Sequence, residues 1–277
     1  MSGIANLTAY SILAQAGIGM AIMLYVAMKT IGVREENRQS YRNGFILAAA
    51  LTALAMLVSL THLGSPLRAS NAILNLGSSW LSREIFFNGV FFVCIAATAW
   101  LAYKQKGFSV FALLSLLSGA VCVFCQASIY ANTVMPAWGF GHAYITFIGA
   151  CLAMGAVLTG ALLFRGRQKI EEGKVFAITA MSVLFVCLIA QAGIYSVLAG
   201  KLASAGPAGV RSLALLNSAG GLTVVSWILL AAGFLGYACV LHQKKVSGVL
   251  YLMTGCILAG EILNRFIFYG MGAPIGL

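Results

Sequence analysis

The chain has 277 residues, of which 61% are hydrophobic and 8% are charged, and its formal net charge is +11. Soluble domains carry about a quarter charged residues, so this composition excludes a soluble protein and indicates an integral membrane protein. The apolar stretches are about 20 residues long, which is the length of a membrane-spanning helix rather than of a β-barrel strand. Since the basic residues fall in short loops, they predict membrane topology and not a nucleic-acid partner.

Eight transmembrane helices are predicted, and the fold class is therefore all-α and polytopic. In chain order the predicted spans cover about 8–28, 43–62, 84–103, 108–131, 141–164, 175–199, 222–241 and 246–270. Together they form a single integral membrane domain over residues 1–277. The two longest loops, 63–83 and 200–221, each follow the second span of a four-span group. Each also carries a proline shortly before an arginine, which suggests two four-helix halves.

The loops differ sharply in charge. Twelve of the 17 basic residues lie in the loops of one face, between spans 1 and 2, 3 and 4, 5 and 6, and 7 and 8. The positive-inside rule makes this face cytoplasmic, so both termini are predicted to be extracytoplasmic.

Two ionisable residues lie at the outer ends of the second and third spans, which one loop joins. His62 ends span 2, and Glu84 begins span 3, where Ser82 is expected to cap the helix and place Glu84 in its first turn. Charged groups at the edge of a span are costly and raise a functional hypothesis. A neutral imidazole near a carboxylate could accept protons from a reduced quinone. The alternative is that His62 binds a loop carbonyl and Glu84 stabilises a helix end beside Arg83.

The loop between these two residues is predicted to contain a short helix. Ser65 is a favourable N-cap, Pro66 suits the first helical position, and Gly77 could end the helix. Arg68 and Asn71 would then share one face of it.

The cysteines and histidines do not predict a metal site. All seven cysteines fall inside predicted spans, and the Cys122-Val-Phe-Cys125 pair lies in one apolar helix without a second pair. Among the histidines only His62 and His142 could supply two axial haem ligands at matching depth. Neither a haem, an iron–sulfur cluster nor another metal is therefore expected in this chain, and His142 is interpreted as an interfacial residue.

The last span carries a second charged group. Glu261 lies about 21 Å along the helix from Ser247 at 1.5 Å per residue, in the outer half of the bilayer. Arg265 follows at i+4, so the two are predicted to form an ion pair. A structural role for this pair and a direct functional one both remain open.

These residues lie in segments that resemble the membrane anchor subunits of dimethyl sulfoxide reductase, the DmsC-like family. The similar segments are His62-Leu-Gly-Ser-Pro-Leu-Arg68-Ala with Asn71, Leu81-Ser-Arg-Glu84-Ile, Ala259-Gly-Glu261-Ile-Leu-Asn-Arg265-Phe-Ile-Phe-Tyr269-Gly, and Tyr130-Ala-Asn-Thr-Val134 with Trp138. The resemblance covers nearly the whole chain, although Arg83 beside the glutamate is not part of the family pattern.

The resemblance implies a function. Such anchors lie in the bacterial cytoplasmic (inner) membrane and hold a four-cluster iron–sulfur subunit and a molybdopterin catalytic subunit. They bind menaquinol, pass its electrons to the iron–sulfur subunit and are not catalytic alone. The family's quinol-site histidine and glutamate correspond to His62 and Glu84. Further candidates for the quinol site are Arg68, Asn71, Tyr130, Glu261 and Arg265. The iron–sulfur partner is expected on the outer face.

Three alternatives to this function remain open. The chain could be a small-solute transporter, although transporters usually bind near the midplane at broken helices. It could anchor a related quinone-linked complex, such as a polysulfide or tetrathionate reductase, and even reduce quinone. It could also be a purely structural tether.

Overall fold

The computed structural model describes residues 2–60, 75–139, 141–164, 171, 173–243 and 248–272. Within these ranges the chain is helical and contains no strand. The α-helices are α1 (Ser2–Thr30), α2 (Glu35–Leu60), α3 (Trp80–Tyr103), α4 (Ser109–Ala131), α5 (His142–Leu163), α6 (Lys174–Ser204), α7 (Gly206–Ser218), α8 (Gly220–Gln243) and α9 (Gly248–Gly270). A short 3-10 helix, Pro136–Trp138, precedes α5.

Eight of these helices, all except α7, are long and apolar enough to cross a membrane. The all-α polytopic prediction is therefore confirmed. The shortest of the eight, α5, has 22 residues and is about 33 Å long at 1.5 Å per residue, which matches a hydrocarbon core of about 30 Å. The clearest difference in bounds is α2, which begins at Glu35 instead of near residue 43, so its first turns carry the basic residues Arg38 and Arg42.

Helices α1 and α5 form the centre of the bundle. In each of them 72% of the apolar stretch is buried, compared with 28–50% in the other six membrane-length helices. The two helices cross at glycines, because a Cβ atom on Gly19 would lie 1.9 Å from the carbonyl oxygen of Cys151, and one on Gly155 would lie 2.3 Å from the backbone of Gly19. Small residues permit this close approach of two helix backbones in a membrane protein. The crossing sets the position of α1 relative to the rest of the bundle.

The region predicted as a long outer loop at 200–221 is mostly helical. Helix α6 continues to Ser204, and α7 starts immediately afterwards with Pro207 in its first turn, where a missing N–H is tolerated. Gly206 joins the two helices with a φ of +73°, a backbone conformation that glycine adopts without strain. Because glycine adopts this φ, the chain can turn from α6 into α7 over a short connection. The two four-helix halves remain a prediction.

Candidate functional site

A cavity of about 620 Å³ lies at the end of the bundle where α1 begins and α9 ends. It is bounded by the first turns of α1 and α3, the last turns of α2, α4 and α9, and one residue of α5. Its lining residues are Leu7, Tyr10, Ala53, Met56, Leu57, Ser59, Leu60, Leu81, Glu84, Ile85, Asn88, Phe92, Gln126, Ile129, Tyr130, Phe147 and Tyr269. The lining is mostly apolar, and a few polar side chains are set into it.

Glu84 is the carboxylate of this cavity. Only 4% of its surface is exposed, and it lies in the second turn of α3. The N-cap is Ser79, whose Oγ accepts a hydrogen bond of 3.3 Å from the backbone N–H of Ser82. The prediction that Ser82 caps this helix and that Glu84 lies in the first turn is therefore wrong. The helix begins at Trp80, one turn before the charged cluster, so Glu84 is deeper in the protein than expected.

Arg83 does not pair with the neighbouring glutamate. Its Nε donates to the carbonyl oxygen of Leu76 at 2.8 Å, and its Nη2 donates to that of Gly77 at 2.7 Å. The guanidinium also stacks 4.3 Å from the centre of the Trp80 ring. These contacts hold the guanidinium on the loop before α3. Arg83 therefore forms no ion pair with the Glu84 carboxylate, which lines the cavity.

Tyr10 and Asn88 complete a polar group around Glu84, which we call the cavity cluster. The Tyr10 hydroxyl donates a hydrogen bond to Glu84 Oε1. Asn88, one turn further along α3, donates from Nδ2 to Tyr10 Oη at 3.2 Å. The cluster therefore presents a carboxylate whose second oxygen is not used by Tyr10. A ligand with a hydroxyl group could donate to this carboxylate and release a proton to it.

Aromatic side chains form another part of the cavity wall. The ring of Tyr130 lies 5.3 Å from the rings of both Phe147 and Tyr269, measured between centroids. Tyr130 also packs edge-on against Trp138 at 5.1 Å. Of the further candidates for the quinol site, Tyr130 is therefore brought to the same cavity as Glu84. A flat ligand could stack against this wall.

Glu261 and Arg265 do not line the cavity, and their predicted ion pair is wrong. Both are almost completely buried, and each binds a residue of another helix. Glu261 Oε1 accepts from Gln191 Nε2 at 3.0 Å. Arg265 Nη2 donates to Gln15 Oε1 at 2.7 Å and to the carbonyl oxygen of Thr146 at 3.2 Å. The i, i+4 spacing permits the pair, but Gln191 on α6 and Gln15 on α1 bind the two side chains instead.

Arg265 is nevertheless close to the aromatic wall. Its guanidinium carbon lies 3.7 Å from the centre of the Phe147 ring, a cation–π contact between α9 and α5. We call Glu261, Arg265 and their amide partners Gln15 and Gln191 the core cluster.

The expected position of His142 is also corrected. It opens α5 as predicted, but its side chain is completely buried inside the protein. Its Nδ1 lies 2.8 Å from the carbonyl oxygen of Ala137, and its ring packs against those of Tyr195 and Phe268. In the part of the chain that the structure describes, no three His, Cys, Asp or Glu side chains are grouped as a metal site would require.

Three predicted site residues, His62, Arg68 and Asn71, lie outside the described residues, as does the predicted start of the loop helix at Ser65. Conversely, sequence reasoning missed Tyr10, Asn88 and Gln126. For Asn88 and Gln126 a signal exists, because amides inside apolar spans are costly without partners. Tyr10 carries no such signal, since tyrosine is common near a membrane interface.

Comparison with known proteins identifies the family. The sequence model described as DMSO reductase anchor subunit (DmsC) matches residues 2–271 of this chain. The chain belongs to the DmsC family. This confirms the resemblance found in the sequence motifs, and it favours an anchor subunit over the transporter alternative. Members of the family anchor a catalytic molybdenum subunit and an electron-transfer subunit of an anaerobic respiratory enzyme in the membrane.

Curated relatives of this DmsC-family protein match nearly its full length. It is 28% identical to anaerobic dimethyl sulfoxide reductase chain YnfH of Escherichia coli K12, covering 98% of the present sequence and 95% of that protein. It is 27% identical to another anaerobic dimethyl sulfoxide reductase chain of the same strain, covering 97% and 94%. An anaerobic dimethyl sulfoxide reductase chain from Haemophilus influenzae Rd is 24% identical over 97% of the present sequence and 94% of that protein.

Proposed function

We propose that this DmsC-family subunit oxidises menaquinol in the cavity beside Glu84. Its electrons pass to a four-cluster iron–sulfur partner and then to a molybdopterin subunit that reduces dimethyl sulfoxide or a similar oxidant. The observation that carries the proposal is a buried carboxylate, held by a tyrosine, in the wall of an apolar cavity of a family anchor. The complex, not this chain alone, would be the enzyme.

The size and lining of the cavity suit a quinol head group. Pockets for small ligands usually measure about 300–1,000 Å³ and combine apolar walls with a few placed polar groups. This cavity, at about 620 Å³, has aromatic rings on one side and the Glu84 carboxylate on another. A fused aromatic head group could stack on the ring of Tyr130 and direct a hydroxyl group to the carboxylate.

The opening of the cavity suits a substrate that arrives from the lipid. Leu57 on α2 and Leu81 on α3 both line it, yet 61% and 52% of their surfaces are exposed. Both helices are of membrane length, so these leucines meet lipid and not water. An isoprenoid tail would leave the cavity between α2 and α3 and remain in the acyl chains.

The residues can account for the proton half of the reaction. Oxidation of one quinol to quinone releases two protons and two electrons. Glu84 takes one proton when the first hydroxyl donates to it, and Tyr10 keeps the carboxyl oriented through its hydrogen bond. His62 is proposed as the second acceptor. It lies two residues after Leu60, which lines the cavity. The electrons leave to the cluster of the partner subunit.

Arg68 and Asn71 are proposed as further polar contacts of the head group, because they follow His62 in the segment that leads to α3. A fixed hydrogen-bond donor to a quinone oxygen would stabilise the charge that develops as the ring is oxidised. Tyr130 is proposed to contribute its ring face.

The cavity is proposed to face the outside of the cytoplasmic membrane. It lies at the end of the bundle where α1 begins and α9 ends, and the loops with twelve of the 17 basic residues connect the helices at the other end. The iron–sulfur partner would then dock on the outer face. Cross-links from this partner to the loop at 31–34, at the opposite end of the bundle, would contradict this orientation.

The central test compares two electron donors in the purified complex. Glu84→Gln should abolish menaquinol-driven reduction, while a soluble dye that donates directly to the partner subunits should still support full activity. Glu35→Gln is the matched control, because this carboxylate is exposed at the opposite end of the bundle. Menaquinol activity that survives in the Glu84→Gln complex would reject the proposal.

A further inference from the structure

The buried cation of the core cluster is connected to the cavity by two glutamine side chains. Arg265 is 2% exposed, and Gln15 and Gln126 are 0% and 2% exposed. Arg265 Nη2 donates to Gln15 Oε1 at 2.7 Å, and Gln15 Nε2 donates to Gln126 Oε1 at 3.2 Å. Gln126 itself lines the cavity beside Glu84. The three residues come from α9, α1 and α4, so only the folded bundle joins them.

The direction of these hydrogen bonds follows from the chemistry of arginine. A guanidinium has N–H donors and no acceptor, so the atom of Gln15 that faces it must be the oxygen. The nitrogen of Gln15 then faces Gln126 and must donate, so the oxygen of Gln126 faces Gln15. This leaves Gln126 Nε2 as the free end of the chain of hydrogen bonds. It is buried beside Glu84 and Tyr10 and interacts with both side chains, but it forms no hydrogen bond of regular distance and angle with a described residue.

We infer that Gln126 is a hydrogen-bond donor to a quinone oxygen, and that Arg265, acting through Gln15, fixes the amide in this orientation. An amide on its own can turn by 180° and present either oxygen or nitrogen to a ligand. Here the turned orientation of Gln126 would place its Nε2 against Gln15 Nε2, so that two donors face each other without an acceptor. Arg265 is therefore a positioning residue that makes this wall of the cavity a donor. This inference rests on the proposed function.

A donor at this point complements the acceptor at Glu84. When a quinol gives its first proton to the carboxylate, the oxygen that loses the proton carries negative charge. An amide N–H is a partner for that oxygen and later for the carbonyl of the quinone. Because Gln126 Nε2 forms no hydrogen bond of regular geometry with a described residue, a bound ligand that accepts from it gains the free energy of this hydrogen bond. Glu84 and Gln126 thus have opposite roles in one cavity.

A purely structural role for the three residues makes different predictions. The amides could only hold α1 against α4 and α9. In that case substitutions would lower the amount of assembled complex, while kcat/KM for menaquinol per complex would stay unchanged. The experiment therefore measures kcat/KM for menaquinol per assembled complex, with dye-driven activity as the measure of assembly.

Gln126→Leu should lower kcat/KM for menaquinol about tenfold, because it removes one hydrogen bond to a group that becomes charged. Arg265→Lys, which keeps a cation that can only donate, should retain kcat/KM within about twofold. Arg265→Gln, which can either donate or accept, should lower it about threefold. The matched control is Gln191→Leu, a buried glutamine of the core cluster that does not line the cavity, and its kcat/KM should be unchanged.

The decisive measurement is the double variant Gln126→Leu/Arg265→Gln. If Arg265 acts through Gln126, the arginine substitution should cause no further loss once the amide is absent. Losses that multiply, or a Gln126→Leu complex with unchanged kcat/KM, would overturn the inference. Should Gln126→Leu not assemble, Gln15→Glu replaces it. This side chain still pairs with Arg265 but, as a carboxylate, cannot donate to Gln126, so kcat/KM should fall about threefold.

The outcome is distinguishable from failure of the proposed function. If Glu84→Gln keeps its menaquinol activity, the site itself is wrong. If Glu84→Gln loses that activity and Gln126→Leu does not, only the role of the amide relay is rejected.

Discussion

The cavity cluster and the core cluster are built from similar parts and have different surroundings. Each contains a buried glutamate on a membrane-length helix, Glu84 on α3 and Glu261 on α9, that accepts one hydrogen bond from a neighbouring helix. Their exposed fractions are also alike, 4% and 1%. Of the two glutamates, only Glu84 lines the cavity. Burial of a carboxylate in a membrane protein therefore does not by itself indicate chemistry, and access for a ligand is the deciding property.

Helix α1 joins the two clusters, because it carries Tyr10 of the first and Gln15 of the second. The same helix is held at the centre of the bundle by the glycine crossing with α5. A change at that crossing should therefore affect both clusters at once, whereas changes within one cluster should separate them.

The largest effect is expected from Gly19→Ala. Its Cβ would overlap the carbonyl oxygen of Cys151 at 1.9 Å, so α1 and α5 must move apart and both clusters lose their partners. We expect no assembled complex in the membrane, measured by partner subunits retained after fractionation. Gly193→Ala is the control, since a Cβ there meets no atom within 4 Å. Normal assembly of Gly19→Ala would show that the two helices are not locked by this crossing.

The sharpest test of the comparison makes the same glutamate-to-glutamine substitution in each of the two clusters. Glu84→Gln should reduce menaquinol oxidation at least about 100-fold, the lower range for loss of a general base. Glu261→Gln should change it less than about threefold, because Gln191 can still donate to the remaining oxygen of the amide. Turnover per complex with menaquinol measures both. Equal losses in the two variants would refute the distinction between the clusters.

The proposed passage for the isoprenoid tail between α2 and α3 predicts an effect that depends on whether the substrate has a tail. Leu57→Trp would narrow the passage between α2 and α3, so kcat/KM for a quinol with a long isoprenoid tail should fall about fivefold to tenfold. The same variant should oxidise a tail-less naphthoquinol normally. Leu54→Trp, at an exposed α2 position that does not line the cavity, is the control. A loss that is the same for both substrates would place the tail elsewhere.

The smallest effect is expected from Tyr10→Phe. Removal of one hydroxyl takes a hydrogen bond from Glu84 and one from Asn88, and loss of about 0.5–1.5 kcal/mol corresponds to roughly threefold to tenfold in kcat/KM. Tyr144→Phe is a matched change in α5 outside the cavity. Full menaquinol activity in Tyr10→Phe would mean that Glu84 is oriented without the phenol.

The linear sequence by itself determined the number of membrane-length helices and their approximate bounds. Hydropathy over a window of about 20 residues depends on neighbours in the chain, so no knowledge of packing is needed. The motifs at His62–Arg68, around Glu84 and around Arg265 also predicted the family, which was confirmed. Local pattern was less reliable where two signals competed, as in the choice of Ser82 over Ser79 as the cap of α3.

Only the tertiary structure decided which polar residues meet. Tyr10 and Glu84 are 74 positions apart in the chain, and Gln15 and Arg265 are 250 apart. Spacing within one helix favoured Glu261 as the partner of Arg265, but amides on α6 and α1 took both positions. Helix spacing limits which contacts are possible, and the packing of other helices selects among them because a buried polar group binds whichever partner the fold brings within reach.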